Sequence, residues 1–243
     1  MIQKADTGHP AGTIVVPTGA MPRFWEFSDS LEYLIVPEGT RRVKAMGCDI
    51  ARNLNIGVRR AIGEWVWFLG DDHLFAPDTL LRLLTHQVDV VVPVTPSKMA
   101  PWNPCVFHGP WSPGMRQYTR DELSAPGLLK LPDGDLIGQA GMLVRKPVLD
   151  EIGDPWFKVG RFDPGQLHED IGFCKELQER GHAVWVDCDL IFEHLMHFGI
   201  RYVKHEGTYV PALRSGSTTV ILPPYTAPAD VPVPDSRVQW VRQ

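Results

Sequence analysis

A short apolar run that ends in acidic residues places the strongest constraint on what this chain can fold into. Residues 65–69 are all apolar, and Gly70, Asp71, Asp72 and His73 follow them directly. A buried strand that ends in carboxylates is costly unless those charges meet a cation or a substrate. In open α/β sheets, ligands bind just beyond the carboxyl ends of the strands. The stretch therefore predicts a metal-dependent site at Asp71, Asp72 and His73.

The same three residues allow a second interpretation, in which they form an exposed acidic turn before the helix that starts near Pro77. Carboxylate oxygens suit hard cations such as Mg²⁺, and a histidine favours Mn²⁺ or another transition metal. Such ions usually hold substrate phosphates as well, so a metal at this position points to a nucleotide diphosphate. The three residues alone do not decide between the metal site and the turn.

Composition limits the class of protein. The 243 residues, 44% hydrophobic and 22% charged, suit one globular domain with an appendage. A formal net charge of -5 argues against a general basic surface for nucleic acid. Four scattered cysteines without a CxxC pair favour a reduced, cytoplasmic protein over a disulfide framework. No apolar run approaches the roughly 20 residues of a membrane span, so no integral membrane segment is expected.

The N-terminal half alternates strand patterns with a helix pattern. Three segments are typical of short buried strands: 13–18, 34–37 and 65–69. An apolar residue at every fourth position predicts a helix over residues 50–62, and these positions are Ile50, Leu54, Val58 and Ile62. A helix between such strands predicts a right-handed βαβ unit, with parallel strand ends gathered at one edge of a sheet.

The pattern continues after residue 77, with one long interruption and a different C-terminus. Strands are predicted at 89–94, 136–144, 183–186 and 191–194, and helices at 77–84, 147–152 and from 168 onward. Residues 95–132 lack periodicity, which predicts irregular structure over the sheet's edge that forms part of a substrate cleft. From about residue 207 the chain is rich in proline, which predicts an extended or disordered tail. Its apolar cluster at 220–222 suggests docking onto the body or onto a neighbouring subunit of a homo-oligomer.

Two further groups of residues are candidates for chemistry. Glu169 and Asp170 lie at a predicted helix N-terminus, where one carboxylate serves as a cap and the second is available as a general base. His194 and His197 follow a predicted strand. Each is either an isolated histidine with its own hydrogen bonds or a further ligand of a metal that Asp72 binds.

The sequence lacks the standard phosphate-binding fingerprints. Neither GxxxxGK[ST] nor GxGxxG occurs, so ATP-type and dinucleotide sites are not predicted. Basic residues near the start of the first predicted helix form a small positive group suited to a diphosphate, although a solvated helix face explains them equally well: Arg41, Arg42, Lys44 and Arg52.

The order of these pieces resembles the GT-A-type glycosyltransferases, in particular family 2-like enzymes, from Thr13 to about Tyr202. The resemblance rests on these motifs in order: Val16-Pro17-Thr18, Ala51-Arg52-Asn53, Phe68-Leu69-Gly70-Asp71-Asp72-His73 with Pro77-Asp78, Gly141-Met142-Leu143-Val144-Arg145-Lys146, Glu169-Asp170-Ile171-Gly172-Phe173-Cys174, and Val186-Asp187 before His194. It implies an α/β fold with an open, mostly parallel Rossmann-like sheet and helices on both faces. The predicted domains are a GT-A-like domain at 1–205, with a nucleotide-sugar half at about 10–94 and an acceptor half at about 95–205, and a tail at 206–243.

The resemblance also implies an activity, a cofactor and roles for individual residues. A sugar would pass from a nucleotide-sugar donor to an acceptor hydroxyl with a divalent cation, Mn²⁺ or Mg²⁺, on the diphosphate. The acceptor is open: a saccharide, a small molecule, a protein or a modified nucleic acid. The implied nucleotide-pocket residues are Pro17, Thr18, Arg52 and Asp71. The implied metal ligands are Asp72, Asp71 and His194, with His73 supporting them, and the implied catalytic residues are Asp170 as base and Glu169.

One position departs from the family pattern, which often carries an aspartate where this chain has Gly70. The acidic motif is therefore shifted or shortened, and altered catalysis is one possible consequence. Two other functions remain open on the same fold: a metal-dependent nucleotide-sugar hydrolase, and a non-catalytic module that binds a sugar nucleotide or a glycan.

Overall fold

The computed structural model describes residues 2–18, 24–47, 49–99, 101–110, 115–158, 168–215 and 218–221. The chain divides into two compact units, Met1–Leu195 and Met196–Gln243. None of the described helices is long and apolar enough to cross a membrane.

Helices and strands alternate through most of the first unit. The helices of the described residues are α1 (Trp25–Tyr33), α2 (Ile50–Arg59), α3 (Thr79–Thr85), α4 (Lys146–Ile152) and α5 (Glu169–Glu179). The strands of the described residues are β1 (Gln3–Ala5), β2 (Thr13–Thr18), β3 (Ile35–Pro37), β4 (Arg41–Met46), β5 (Trp65–Phe68), β6 (His73–Leu74), β7 (Val90–Val94), β8 (Val106–Phe107), β9 (Leu128–Lys130), β10 (Leu136–Ile137), β11 (Leu143–Arg145), β12 (Val184–Ile191), β13 (Glu193–His194), β14 (Gly199–His205), β15 (Thr208–Ser215) and β16 (Thr218–Ile221).

A seven-stranded sheet in the order β4-β2-β5-β11-β7-β12-β9 forms the centre of the first unit. Strand β2 pairs in parallel with β4 and β5, and β12 pairs in parallel with β7. Strand β11 runs antiparallel to both of its neighbours, and β9 runs antiparallel to β12 at the edge. Five of the seven strands therefore share one direction, which confirms the predicted open, mostly parallel sheet.

Two apolar clusters cover the opposite faces of this sheet, because successive side chains of a strand point to opposite sides. Val15, Val66 and Phe68 pack with α2, α4 and α5 on one face. Ile14 and Trp67 pack with α1 and α3 on the other. The predicted helices on both faces are thus confirmed.

The first βαβ unit forms where the sequence predicts it, with differences at its ends. Helix α2 begins after Asp49, whose side chain accepts a hydrogen bond from the Arg52 backbone N–H at 2.9 Å. The predicted apolar face is only half right, because Leu54 and Val58 are buried but Ile50 and Ile62 are about half exposed. The helix ends at Arg59 rather than at residue 62.

Three other assignments differ from the sequence-based prediction. Strand β4 was not predicted; its basic residues are exposed, and only its Val43 and Ala45 are buried. The predicted strand at 34–37 pairs with β1 in a separate two-stranded sheet. The predicted strand at 136–144 is two short strands, β10 and β11, in different sheets.

The described residues of 196–221 lie around the predicted boundary at residue 205 and in the extended or disordered tail predicted after it. The first unit ends at Leu195, and β14, β15 and β16 form a three-stranded antiparallel sheet of their own in the second unit. The division between the two units thus falls before β14, which pairs with β15. Residues 222–243 lie outside the described residues, and docking through the tail stays a prediction.

Candidate active site

The turn after β5 brings together side chains that are distant in the sequence. Asp71 and Asp72 form this turn, and the chain then enters the short strand β6. Strand β13 pairs antiparallel with β6, so that His194 lies opposite His73. The Leu195 N–H also donates to the Asp72 carbonyl oxygen at 2.7 Å. The pairing places residue 194 beside the acidic strand end, which a local pattern cannot predict.

Asp72, His73 and His194 form a compact cluster of potential metal ligands. One ligand atom of each residue lies within 4.8 Å of those of the other two. His73 Nδ1 is 3.3 Å from Asp72 Oδ1, and His194 Nε2 is 3.7 Å from Asp72 Oδ2. The two imidazole rings stack with their centroids 4.6 Å apart. His73 is therefore close enough to Asp72 and His194 to be a third potential metal ligand, rather than only a residue that supports the ligands.

These residues are not an exposed acidic turn. Asp71, Asp72 and His73 are 4%, 6% and 3% exposed. Burial by itself raises the pKa of Asp72, but its interactions with His194 and with the Lys98 ammonium outweigh burial and hold the pKa well below its usual range. Asp72 is therefore an ionised carboxylate in a largely dry setting, as a cation site requires.

The hydrogen bonds of the two histidines suit metal binding. Burial lowers the pKa of His73 to about 4, so the ring is neutral near pH 7. Its Nδ1 lies 3.2 Å from the Gly70 carbonyl oxygen, and its buried Nε2 has no hydrogen-bond partner among the described residues. His194 Nδ1 lies 2.8 Å from the Pro96 carbonyl oxygen, which directs Nε2 toward Asp72. Metal-binding histidines usually hold their second nitrogen on a carbonyl in this way. One carboxylate and two imidazoles fit Mn²⁺ or another transition metal.

Gly70 is explained by the ring of His73. A Cβ at residue 70 would lie 2.7 Å from two ring atoms of His73 and 2.8 Å from Asp72 Oδ1. A side chain at position 70 and the observed position of His73 are therefore mutually exclusive. Gly70 therefore leaves the space that the His73 ring occupies in the cluster.

Substitution of Gly70 by alanine tests this explanation. We expect Gly70→Ala to lower the free energy of unfolding by about 1–3 kcal/mol, because a methyl group forced into a packed site displaces its neighbours. Urea denaturation of the wild type, Gly70→Ala, His73→Ala and the double variant forms a double-mutant cycle. In the His73→Ala background the cost of Gly70→Ala should become small. An equal cost in both backgrounds would show that the ring does not explain the glycine.

The predicted nucleotide residues Thr18 and Asp71 meet beside the cluster. The Thr18 hydroxyl donates a hydrogen bond to Asp71 Oδ2, and both residues are buried. They line a cavity of about 220 Å³ together with Arg42 and Lys44 of β4. This cavity shares Arg42 with a wider groove of about 800 Å³. Polar, acidic and basic groups thus converge at the carboxyl end of β2.

Two other predicted pocket residues lie elsewhere. Pro17 is buried in β2, and Arg52 is not among the described residues that line the cavity. The Arg52 side chain is 69% exposed and pairs with Asp49 at 3.3 Å. Arg42 and Lys44 are instead the basic residues that line this cavity. Because β4 was not predicted, Arg42 and Lys44 were not expected to lie on a strand.

Asp170 lies in the first turn of α5, with Glu169 before it. Asp170 Oδ1 accepts a hydrogen bond from the Ile171 N–H at 2.7 Å. Its Oδ2 would lie 3.1 Å from a Cβ at Gly138, so the carboxylate abuts the backbone of the loop after β10. Burial raises the pKa of Asp170 and also that of Glu169. A carboxyl with a raised pKa suits a general base near neutral pH.

Cys105 connects the surroundings of Asp170 with those of Asp72. Burial and the charge of Asp170 raise the pKa of its thiol to about 12, against the opposing charge of Lys98. Lys98 in turn donates to Asp72 Oδ2 at 2.5 Å. A Cβ at Gly138 would also lie 3.6 Å from Cys105 Cβ, so Asp170 and Cys105 flank the same glycine. Lys98 lies in the segment without periodicity, where no sequence pattern marks it as a site residue.

Comparison with known proteins gives a family match and similarity of fold. Residues 43–151 match the family described as Glycosyl transferase family 2. No curated protein matches the chain. GalNAc-T7 with UDP, GalNAc and Mn²⁺ is similar with a TM-score of 0.55 at 9% identity, over 83% of this chain and 45% of that one. TarS 1–349 of S. aureus gives a TM-score of 0.50 at 14% identity, over 75% and 60%. A197 from STIV gives 0.48 at 12%, over 89% and 96%.

Proposed function

We propose that this chain transfers a sugar from a nucleotide-sugar donor to an acceptor hydroxyl in a reaction that depends on a divalent cation. The match of residues 43–151 to the family described as Glycosyl transferase family 2 supports this proposal. The observation that carries the proposal is the cluster of Asp72, His73 and His194 beside the Thr18–Asp71 cavity. A metal-binding group next to a pocket with basic walls suits a ligand that combines a diphosphate with a nucleoside.

The donor would occupy the cavity of Thr18 and Asp71, with its diphosphate toward the cluster. Asp71 is held by the Thr18 hydroxyl, so its carboxylate is positioned to accept hydrogen bonds from a ribose. Lys44 and Arg42 supply positive charge along the same wall. Asp71 would thus bind the nucleotide, and the other three residues would hold the cation.

Asp72, His73 and His194 would hold the cation. When bound, it supplies positive charge that stabilises the departing diphosphate. Two imidazole donors favour Mn²⁺ or another transition metal over Mg²⁺, which prefers oxygen ligands and keeps several waters. The fit depends on the neutral state of His73 and on the Nε2 of His194 that faces Asp72.

Asp170 would act as the base toward the acceptor in an inverting transfer. Its carboxylate takes the proton of the acceptor hydroxyl while the hydroxyl oxygen bonds to the anomeric carbon. The bond between that carbon and the phosphate oxygen breaks, and the nucleoside diphosphate leaves with the bonding electron pair. The raised pKa of Asp170 makes it a stronger base than an ordinary aspartate.

A thermal-shift screen of nucleotide sugars with MnCl₂ tests the binding part of the proposal. A donor at 100 times its Kd should add roughly 2.7 kcal/mol of stability, which corresponds to about 5–10 °C in Tm for a chain of this size. The shift should shrink when MgCl₂ replaces MnCl₂ and vanish in EDTA. Failure of every nucleotide sugar to raise Tm would contradict the proposal.

Donor turnover with and without acceptors separates transfer from hydrolysis. Transfer requires that consumption of the donor identified in the screen rises when a suitable hydroxyl acceptor is added. Equal rates with and without acceptors would instead indicate a nucleotide-sugar hydrolase. Binding without any turnover would indicate a non-catalytic module.

A further inference from the structure

Lys98 forms an ion pair with the Asp72 carboxylate, which a bound cation would need as a ligand. Its Nζ lies 2.5 Å from Asp72 Oδ2, and its side chain is 35% exposed. The same oxygen is 3.7 Å from His194 Nε2. The ammonium and a divalent cation at the cluster would thus share one carboxylate oxygen.

The loop that carries Lys98 is fixed at its base and touches the cluster twice. Cys105 N–H donates to the Thr95 carbonyl oxygen, and Ser97 N–H donates to that of Asn103, both at 2.8 Å. The carbonyl oxygen of Pro96 holds His194 Nδ1 at 2.8 Å. The loop therefore orients His194 through its backbone and neutralises the charge of Asp72 through Lys98.

The Lys98 ammonium and a cation at the cluster would be too close together for the single charge of Asp72 to offset their repulsion. Metal–oxygen distances of about 2.1 Å would put a cation on Asp72 Oδ2 within about 5 Å of Lys98 Nζ, where like charges repel strongly in a partly buried site. An anion between them removes the conflict. A diphosphate, with several charged oxygens, would satisfy both the cation and the ammonium.

We propose that Lys98 couples cation binding to diphosphate binding. Without a diphosphate, Lys98 holds Asp72 and opposes the entry of a divalent cation. When a diphosphate is present, the flexible lysine side chain moves from Asp72 to the phosphate oxygens, and the cation takes the carboxylate. Cation and diphosphate then bind with positive cooperativity, each raising the affinity for the other by the same factor. This inference rests on the proposed cation site.

Two titrations of the full chain test the coupling in the wild type and in Lys98→Met. Isothermal titration with MnCl₂ alone should give about tenfold tighter binding in Lys98→Met, because the competing ammonium is gone. Titration with inorganic pyrophosphate at saturating MnCl₂ should give about tenfold weaker binding, because one phosphate contact is lost. Lys98→Arg keeps the positive charge and should resemble the wild type in both titrations. Lys175→Met removes an exposed lysine of α5, which pairs with Glu179, and should change neither constant.

The possible results separate the coupling from the cation site itself. Unchanged Mn²⁺ affinity in Lys98→Met would overturn the proposal. Tighter Mn²⁺ binding with unchanged pyrophosphate binding would also overturn it, because Lys98 would then be only a counter-ion of Asp72. If neither protein bound Mn²⁺, the proposed cation site would itself be wrong. Circular dichroism of each variant shows whether it is folded, and Lys98→Gln replaces Lys98→Met if the latter is not.

Discussion

Replacing Asp170 by asparagine is expected to lower kcat for sugar transfer by about 10²–10⁴-fold, the usual contribution of a positioned general base. Asparagine has the same shape and can still accept the Ile171 N–H at its amide oxygen, so the side chain should keep its place. It cannot take a proton from an acceptor hydroxyl. Donor and Mn²⁺ affinities should stay within about threefold of the wild type, since Asp170 is outside the cation cluster.

Control variants on the same helix distinguish the loss of a catalytic base from the general effect of removing a negative charge. Glu179→Gln changes an exposed carboxylate of α5 and should leave kcat unchanged. Glu169→Gln removes the neighbouring acid and should have a smaller effect than Asp170→Asn if Asp170 is the base. Normal transfer by Asp170→Asn would rule out Asp170 in this role.

The pH dependence of transfer gives a second readout for Asp170. Burial raises its pKa, so protonation, which inactivates a base, begins at a higher pH than for an ordinary aspartate. Transfer by the wild type should fall as the pH decreases through this raised pKa. The residual activity of Asp170→Asn should lack that acidic limb in the profile of kcat/KM against pH. An acidic limb that persists in the variant would belong to another group.

Hydrophobic patterns predicted the parts of the fold that lie in the centre of the sheet. Strands β2 and β5 are continuous apolar runs because both of their faces are covered by helices. Strand β4 escaped prediction because it lies at the sheet's edge, where its basic residues are exposed and only Val43 and Ala45 are buried. Its Arg42 and Lys44 were therefore noticed as charges but not as walls of a cavity.

The candidate site was predictable in its local residues and not in its long-range contacts. The acidic strand end marks Asp71 and Asp72, but a turn after β5 sends Asp71 toward Thr18 and Asp72 toward His194. The two-residue pairing of β6 with β13 brings His73 and His194 together across a separation of more than 100 residues. A strand pair of two residues is too short to produce a periodic pattern in the sequence. The contact of Lys98 with Asp72 arises from a loop whose conformation depends on tertiary packing.

Asp72→Asn should abolish the function of the cation cluster. Even the loss of a residue that merely supports a metal ligand costs about 10–100-fold in affinity, so loss of the only carboxylate in the cluster should weaken Mn²⁺ binding by at least about 100-fold. Transfer should fall by about 10³-fold, because the cation's stabilisation of the leaving diphosphate amounts to several kcal/mol. The variant should remain folded, since asparagine keeps the volume and Lys98 is partly exposed to water.

Asp71→Asn is the matched comparison for Asp72→Asn, because the two residues are adjacent, equally buried and of the same type. It should weaken nucleotide binding through the Thr18–Asp71 cavity but keep Mn²⁺ affinity within a few-fold of the wild type. Asp150→Asn, at an exposed position of α4, should change neither property. Electron paramagnetic resonance of free and bound Mn²⁺ measures the three affinities. If Asp71→Asn lost Mn²⁺ and Asp72→Asn kept it, the roles of the two aspartates would be reversed, and the cation would lie on the Thr18 side of the turn.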